Sequence, residues 1–343
     1  MRVLLIGGSG FIGPHVAAAL TGAGHDVVLF HRGHAKPQVQ VSREVLGDRA
    51  RLAEHRDELR EIRADIVVDL ILSSGRQAHA LMDVFRGATP RIVALSSCDV
   101  YRACGVLHGS EAGPLEPVPL TESSPLRTTL QTYPPERIQM LQKVFGWLDD
   151  EYDKIPVERE ILGDAQLAGT VLRLPMVYGP GDPLRRLWPI VKRIDDGRRV
   201  MLFEEKLARW RAPRGYVGNV AAAIALAATD ARAAGRVYNV GEPESLGELE
   251  WATRVAAIAG WSGEFLTLPA DRMPPHLLMP GNTDQHWATD TTRIREELGY
   301  REPIAQDEAI RRTVAWERAN PPATSSPHPF DYAAEDAALA QPT

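Results

Sequence analysis

A glycine-rich segment near the N-terminus constrains the fold of this 343-residue chain more than any other feature. Residues 2–6 form a short apolar run, and Gly7, Gly10 and Gly13 follow it at intervals of three. Apolar residues then recur at helical spacing until a second apolar run at residues 27–30. A strand, a glycine loop, a helix and a second strand together predict a βαβ unit.

The same alternation continues through the N-terminal half. Short apolar runs at 65–70, 91–95 and 170–174 alternate with helical segments, of which 49–62 and 77–85 are the clearest. Strands that alternate with helices of this length are typical of parallel sheets. We therefore predict an α/β protein with a Rossmann-type, doubly wound parallel sheet.

The domain boundaries follow from a change in pattern after residue 178, where strand signals become rare and helical periodicity dominates. This predicts a smaller, mostly helical C-terminal domain that binds substrate. The predicted segments are a dinucleotide-binding domain at 1–180 to which 217–241 return, a substrate-binding part at 181–216 and 242–320, and a poorly ordered tail at 321–343.

The composition excludes several function classes. Lys and Arg number 39 against 45 Asp and Glu, a net charge of −6 that makes a nucleic-acid partner unlikely. Cys98 and Cys104 provide neither a disulfide framework nor metal-ligand spacing, which favours a reducing, cytoplasmic location and no metal site. No apolar run approaches the roughly 18 residues of a membrane span, so we expect no membrane partner.

The glycine loop predicts a dinucleotide cofactor. Glycines let backbone amides approach a pyrophosphate, which then lies at the N-terminus of the following helix. The loop residues expected to bind the cofactor are Gly7, Ser9, Gly10, Phe11, Ile12 and Gly13.

The end of the second strand indicates which dinucleotide binds. NAD-selective sites carry an acid there, whereas this chain has His31 and Arg32. A guanidinium suits a 2′-phosphate, so we expect NADP in preference to NAD, with an exposed basic turn as the alternative. Asp48 and Arg49 are expected beside the adenine, although Asp48 is equally suited to cap a helix.

Three further segments resemble the extended short-chain dehydrogenase/reductases, the NAD-dependent epimerase/dehydratase family. Residues 95–101 (LSSCDVY) are similar to the S-S-x-x-V-Y strand end, and residues 173–182 to R-x-P-x-V-Y-G-P-G-D. Residues 214–220 resemble R-D-Y-V-x-D-V with both acids replaced. The resemblance covers residues 1–318 and implies hydride transfer with NAD(P), commonly in a homodimer.

The resemblance also implies a catalytic site of Ser, Tyr and Lys. Ser97 occupies the serine position, where it would bind the substrate oxygen. Lys154 is the best candidate for the lysine of the family's Y-x-x-x-K element. Asp150 replaces the tyrosine four residues upstream, while Tyr152 is two residues away, about 200° around a regular helix. If the helix begins only near Asp153, Tyr152 lies in the preceding loop and can turn into the site. The alternative is a surface ion pair between Asp150 and Lys154 beside a packed Tyr152.

Other positions take their expected roles from the same resemblance. Leu70 and Ile71 stand where the family carries small residues beside the cofactor, which implies a narrower or displaced nicotinamide pocket. In nucleotide-sugar enzymes of the family, the arginine at the position of Arg214 faces the substrate diphosphate. The residues expected at the cofactor are Leu70, Ile71, Lys154, Pro175 and Val177, and those expected at the substrate are Asp99, Tyr178 and Arg214.

Two functional hypotheses remain open from the sequence. The first is an NAD(P)-dependent oxidoreductase or epimerase/dehydratase that acts by hydride transfer on a hydroxylated small molecule, either a nucleotide sugar or a secondary metabolite. The second, motivated by the missing tyrosine, is a catalytically degenerate dinucleotide-binding sensor or RNA-associated protein. The irregular segment 103–135, long for a compact domain, is expected to border the site in either case.

Overall fold

Eleven strands occur in the computed structural model, which describes residues 1–34, 39–131, 133–322 and 330–340. They are β1 (Arg2–Ile6), β2 (Asp26–His31), β3 (Arg43–Leu46), β4 (Ile66–Asp69), β5 (Arg91–Ser97), β6 (Ala168–Leu174), β7 (Met176–Tyr178), β8 (Val200–Glu204), β9 (Arg214–Tyr216), β10 (Val237–Asn239) and β11 (Glu264–Leu268).

Thirteen α-helices accompany these strands within the same described ranges. They are α1 (Gly13–Gly22), α2 (Arg56–Glu61), α3 (Gly75–Phe85), α4 (Arg102–His108), α5 (Pro135–Val144), α6 (Lys154–Gly163), α7 (Trp188–Asp195), α8 (Glu205–Arg209), α9 (Val217–Thr229), α10 (Glu248–Ile258), α11 (Thr292–Leu298), α12 (Gln306–Ala319) and α13 (Tyr332–Leu339).

Seven strands form one parallel sheet in the order β3-β2-β1-β4-β5-β6-β10. From β1 the chain proceeds outward to β2 and β3 on one side, and it then returns to build β4, β5 and β6 on the other. The strand order therefore reverses next to β1, and ligands of such sheets bind outside the strand ends at this point. Two short parallel pairs, β7–β9 and β8–β11, lie outside the main sheet.

Helices cover both faces of the sheet because alternate strand side chains point to opposite sides. Val3 and Leu5 pack into one core cluster with α1 and α9, whereas Leu4 and Ile6 pack into another with α3 and α6. All four side chains are fully buried. The predicted doubly wound Rossmann-type fold is confirmed.

The predicted disorder of the tail at 321–343 is wrong for the part that the structure describes as α13. Glu335 in this helix is 1% exposed and accepts hydrogen bonds from Arg193 at 2.6 Å and from His276 at 3.1 Å. Asp331 caps the helix by accepting from the Ala334 amide at 3.0 Å. The composition of the tail could not show this because its partners come from distant segments. Residues 323–329 and 341–343 lie outside the described residues.

Candidate active site

A cavity of about 530 Å³ lies at the carboxyl ends of β1, β2, β3 and β4, next to the reversal in strand order. The six loop residues proposed from the sequence all line it. So do the other expected cofactor neighbours His31, Arg32, Asp48, Arg49, Leu70 and Ile71. Three other expected cofactor residues, Lys154, Pro175 and Val177, are not among the lining residues. Gly181 and Pro183 line the cavity instead.

The three spaced glycines have different structural roles. Gly7 has a φ of +87°, and a Cβ there would lie 2.7 Å from Ile71 Cγ2. A Cβ on Gly13 would lie 2.5 Å from the backbone carbon of Gly8, so this glycine lets α1 approach the loop. A Cβ on Gly10 would meet nothing within 4 Å. Gly10 therefore leaves open space beside the first amides of α1, which lack intrahelical partners, and the loop fits a dinucleotide pyrophosphate.

The end of β2 carries no acidic residue toward the cavity. His31 is buried and lies 3.0 Å from Glu44 on β3 through its Nε2 atom. Arg32 is exposed at the cavity and donates to the carbonyl of Gly146 at 3.1 Å. His34 also lines the cavity. The Arg32 guanidinium and the exposed His34 therefore lie at the rim where the adenosine ribose is expected, whereas the His31 ring is engaged by Glu44 and by the Gly33 amide.

The next turn, after β3, is held by its own hydrogen bonds. Asp48 caps a 3₁₀ helix at Arg49–His55 by accepting from the Ala50 amide at 2.9 Å, as one of the two sequence alternatives expected. Arg49 is buried, and its Nε donates to Asp69 at 2.9 Å at the end of β4. Asp69 also accepts from the amide of Ile71 at 3.0 Å. The ion pair thus joins the ends of two strands under the cavity.

Residues 144–149, here called the covering segment, form a further part of the cavity wall. Asp149 fixes this segment by accepting from the hydroxyls of Ser73 at 3.0 Å and Ser74 at 2.6 Å. Arg32 binds the middle of this segment by donating to the Gly146 carbonyl. The sequence analysis missed this wall, and Gly146 between two aromatic residues is its only local signal.

Ser97 lies at the carboxyl end of β5 and begins the following turn. Its Oγ accepts from the amide of Asp99 at 3.2 Å, which caps a 3₁₀ helix at Cys98–Val100. The neighbouring Ser96 donates to Glu158 on α6 at 2.6 Å. The carboxyl end of β5 is therefore tied directly to the helix that carries Lys154.

Helix α6 begins at Lys154, with Asp153 as its cap. The Lys154 ammonium is buried and donates to the backbone carbonyls of Leu72 and Leu95, the latter at 3.1 Å. Burial lowers the pKa of Lys154 to about 8. Tyr152 accordingly lies in the loop before the helix, which is the interpretation that assumed a helix start near Asp153.

Asp150, the other candidate for proton transfer, lies at the surface and not with the buried Lys154. Its side chain is exposed and accepts from Gln142 on α5 at 2.8 Å. The alternative of a surface ion pair between Asp150 and Lys154 is wrong, because α6 begins after Asp150 and Lys154 is buried.

Tyr152 is half-buried and joins a cluster centred on the buried Asp99. The hydroxyl of Tyr152 donates to Asp99 Oδ2 at 3.0 Å, and that of Tyr133 donates to the same atom at 3.4 Å. Arg127 holds the backbone of the cluster by donating to the Asp99 carbonyl at 2.6 Å and to Asp153 at 3.2 Å. Tyr133 and Arg127 come from the irregular segment expected to border the site, although neither was singled out from the sequence.

The other expected substrate residues already have partners. Tyr178 is buried and donates to Glu242 at 2.7 Å. Arg214, only 7% exposed, forms an ion pair with Glu248, and its guanidinium lies 4.8 Å from the ring centre of Trp251. The positive charge of Arg214 is therefore neutralised within the protein.

Two classes of feature are missing from the part of the chain that the structure describes. It holds no group of three or more metal-binding side chains. It also holds no helix that is long and apolar enough to cross a membrane.

Comparisons with known proteins give a consistent picture. A 2-alkyl-3-oxoalkanoate reductase of Stenotrophomonas maltophilia is 26% identical over 353 residues, which covers 92% of this chain and 99% of that protein. A dTDP-glucose 4,6-dehydratase of Streptomyces niveus is 31% identical over 153 residues, which covers 44% of this chain and 42% of that protein. The solved structure of MoeE5 in complex with UDP-glucuronic acid and NAD has a TM-score of 0.66 at 22% identity, covering 93% of this chain and all of that one.

The family model described as the NAD dependent epimerase/dehydratase family matches residues 3–241, well over half of the chain. This range includes the glycine loop, the end of β5 and the start of α6, which together build the site described above. The chain therefore belongs to the NAD-dependent epimerase/dehydratase family and is an NAD(P)-dependent enzyme of hydride transfer.

Proposed function

We propose that the protein is an NADP(H)-dependent reductase whose substrate is a small carbonyl compound without a nucleotide, of the 3-oxo acid class. One observation carries this proposal: Arg214, at the position that faces the substrate diphosphate in nucleotide-sugar enzymes of the family, is buried and neutralised by Glu248.

A diphosphate is bound through free positive charge, and guanidinium groups bind it through paired hydrogen bonds. Arg214 already donates to a carboxylate and stacks on Trp251, so a diphosphate there would have to displace Glu248. The Arg214 side chain is 8% exposed and that of Glu248 is 20% exposed, so breaking this partly desolvated ion pair would be unfavourable. A substrate without a diphosphate needs no such displacement.

The breadth of the reductase match supports the same substrate class. That relative matches along 92% of this chain, and its name specifies an oxoalkanoate, which contains no nucleotide. The dehydratase relative, whose name specifies a nucleotide sugar, matches along 44%. Because the substrate pocket of this family lies in the C-terminal part, a match along the whole chain is the more informative one.

The residues of the site have distinct roles in this proposal. Ser97 Oγ lies at the end of β5, where it would position the carbonyl oxygen of the substrate. The Lys154 ammonium, held between the carbonyls of Leu72 and Leu95, would place positive charge beside the nicotinamide ribose at pH values below its pKa of about 8. The glycine loop would hold the pyrophosphate. When bound, the cofactor supplies the hydride. We assign no role in proton transfer to Asp150, whose side chain lies at the surface.

The substrate proposal is tested by following NADPH absorbance with a 2-alkyl-3-oxoalkanoate and, separately, with UDP-glucose and dTDP-glucose. We expect oxidation of NADPH with the oxo acid and no conversion of either nucleotide sugar. Conversion of a nucleotide sugar, with no reduction of the oxo acid, would refute the proposal.

The preference for NADP is part of the same proposal and rests on Arg32. Its guanidinium lies at the cavity rim with one nitrogen on the Gly146 carbonyl. Among the described residues its other nitrogens have no hydrogen-bond partner, which would let them bind a 2′-phosphate. We expect Arg32→Ala to weaken NADPH binding at least tenfold, about 1.4 kcal/mol, and to leave NADH binding nearly unchanged. Arg43→Ala is the matched control, because Arg43 pairs with Glu58 outside the cavity. Equal effects on the two cofactors would contradict the preference.

A homodimer, implied by the family, stays a prediction. Helix α6, which carries Lys154, also carries Leu162, whose side chain is 38% exposed. Light scattering should give twice the 37.7 kDa of one chain, and Leu162→Glu should reduce it to a single chain. A monomeric wild-type protein would exclude the dimer.

A further inference from the structure

We propose that Gln77 and Asp48 together select adenine as the base of the cofactor. Gln77 donates a hydrogen bond to the ring nitrogen N1 of the base, and Asp48 accepts one from its amino group. This inference rests on the dinucleotide cofactor of the proposed function and does not depend on the identity of the substrate. Asp48 was expected beside the adenine, whereas Gln77 had no expected role.

The side chain of Gln77 is held in one orientation at the start of α3. Its Oε1 accepts from the backbone amide of Ser73 at 3.0 Å. Because a backbone amide can only donate, this bond fixes which end of the Gln77 side chain is oxygen and which is nitrogen. The two ends cannot exchange places without loss of the bond to Ser73.

The Nε2 group of Gln77 is a donor that remains available at the cavity. Gln77 is only 7% exposed and is one of the residues that line the cavity. Its Nε2 makes no hydrogen bond to any residue that the structure describes, whereas its Oε1 is occupied by Ser73. Buried polar groups in folded proteins nearly always have a hydrogen-bond partner. Gln77 therefore offers a ligand in this cavity a donor, and the ligand gains by supplying an acceptor.

Gln77 lies on the side of the cavity that the base is expected to occupy. Its backbone carbonyl accepts from the Arg49 guanidinium at 2.9 Å, which ties the start of α3 to the turn after β3. In a dinucleotide the ribose separates the adenine from the pyrophosphate. With the pyrophosphate at the glycine loop and the ribose at Arg32, the base is expected beyond β2, toward the turn after β3. The N1 edge of adenine is remote from the ribose, so it is the edge that can reach a buried group such as Gln77.

Asp48 provides the complementary acceptor in the same cavity. Its Oδ1 accepts from the Ala50 amide at 2.9 Å, and its Oδ2 has no hydrogen-bond partner in the described part of the chain. Asp48 is half-buried, lines the cavity and directly precedes Arg49. Capping the 3₁₀ helix through one oxygen therefore leaves the other oxygen able to bind an amino group.

One donor and one acceptor on the protein match adenine and no other common purine. Adenine carries an amino donor beside the acceptor N1. Hypoxanthine and guanine carry the reverse, an oxo acceptor beside an N1–H donor. Either of these bases would place its donor against Gln77 Nε2 and its acceptor against Asp48 Oδ2, which would leave both protein groups without a hydrogen bond.

The hypoxanthine analogue of NADP tests this pattern, because it differs from NADP only at this edge of the base. Calorimetric titration of the protein without substrate gives the dissociation constants of both dinucleotides. We expect the wild-type protein to bind NADP at least about tenfold more tightly than the analogue. Equal affinities would overturn the proposal.

Gln77→Glu exchanges the proposed donor for an acceptor and keeps an oxygen for the Ser73 amide. The ratio of the two affinities is the quantity of interest, because the added negative charge acts on both dinucleotides. We expect the preference for NADP to fall at least about tenfold, since the N1–H of the analogue can donate to the new carboxylate. Gln77→Met, which adds no charge, should also weaken the binding of NADP more than that of the analogue.

A purely structural role of Gln77 at the start of α3 predicts a different result. Both variants would then weaken the two dinucleotides equally, and this outcome would overturn the proposal. The matched control is Gln166→Glu, which makes the same substitution at an exposed residue that does not line the cavity. It should leave both affinities unchanged.

The titrations separate this inference from the rest of the proposed function. They involve no turnover, so they remain decisive even if the oxo acid is not reduced. If the preference for NADP proves wrong, NAD and its hypoxanthine analogue give the same comparison. Failure of the protein to bind any of these dinucleotides would refute the cofactor site and this inference together.

Discussion

A pair of glycine substitutions separates what the loop does for folding from what it does for binding. In Gly13→Ala the new methyl carbon would lie 2.5 to 2.6 Å from three backbone atoms of Gly8, which cannot turn away as a side chain can. In Gly10→Ala the methyl would meet nothing within 4 Å, and the φ of Gly10 is not in the left-handed region. The two variants add the same atom three residues apart.

Gly13→Ala is expected to change the stability of the fold, and Gly10→Ala is expected to change the affinity for the cofactor. Overpacking against the Gly8 backbone costs about 1–3 kcal/mol, and the better helix propensity of alanine offsets at most about 1 kcal/mol, so Gly13→Ala should lower the free energy of unfolding. Gly10→Ala should change that free energy by less than about 0.5 kcal/mol. Its methyl would instead occupy space at the first turn of α1, where the pyrophosphate is expected. Cofactor affinity should therefore fall at least tenfold, about 1.4 kcal/mol.

Urea denaturation without cofactor gives the free energies of unfolding, and a fluorescence titration with NADPH gives the dissociation constants. Gly22→Ala is the matched control, since a Cβ there also meets nothing within 4 Å and Gly22 ends α1 away from the cavity. It should change neither quantity appreciably. Gly10→Ala with wild-type affinity for NADPH would refute the assignment of this space to the pyrophosphate, and a fully stable Gly13→Ala would refute the packing argument.

Two further predictions concern buried charges. Burial lowers the pKa of Lys154 from 10.5 to about 8. Below pH 8 the side chain is therefore a buried ammonium, which destabilises the fold. The free energy of unfolding of the wild type relative to Lys154→Met should therefore rise by about 3 kcal/mol between pH 8 and pH 10.5, and a difference independent of pH would contradict this. Glu335→Ala should lower the free energy of unfolding by about 3–5 kcal/mol by leaving the buried Arg193 without its partner. Asp336→Ala, whose side chain is 59% exposed, should cost less than about 1 kcal/mol in the same denaturation experiment, and equal losses would show that burial does not decide the difference.

The features predicted well from the sequence are those encoded by neighbouring residues. The apolar run at 2–6, the glycine spacing and the helical periodicity after it are local patterns, and the structure places them as β1, the loop and α1. The position of Arg32 at the cavity is also encoded locally, because it depends only on the place of this residue directly after β2.

The start of α6 shows where local pattern reaches its limit. Spacing by itself placed Asp150 and Lys154 on one helical face, but the helix begins at Lys154, with Asp153 as its cap and Pro156 in the first turn. A proline without an amide hydrogen is tolerated there, and the cap satisfies the first free amide. The competing signals were present in the sequence, and their outcome depended on the packing of the loop.

The sequence by itself determined the order of strands and helices along the chain and the glycine loop proposed to bind the cofactor, because backbone conformation and side-chain periodicity are properties of adjacent residues. Only the tertiary structure decided which charges remain available. Glu248 neutralises Arg214 from 34 positions away in the sequence. Tyr133 and Tyr152, which donate to Asp99, are 34 and 53 positions from it. Desolvation and hydrogen bonding between such remote groups set their charge and reactivity, and no local pattern encodes which groups will meet.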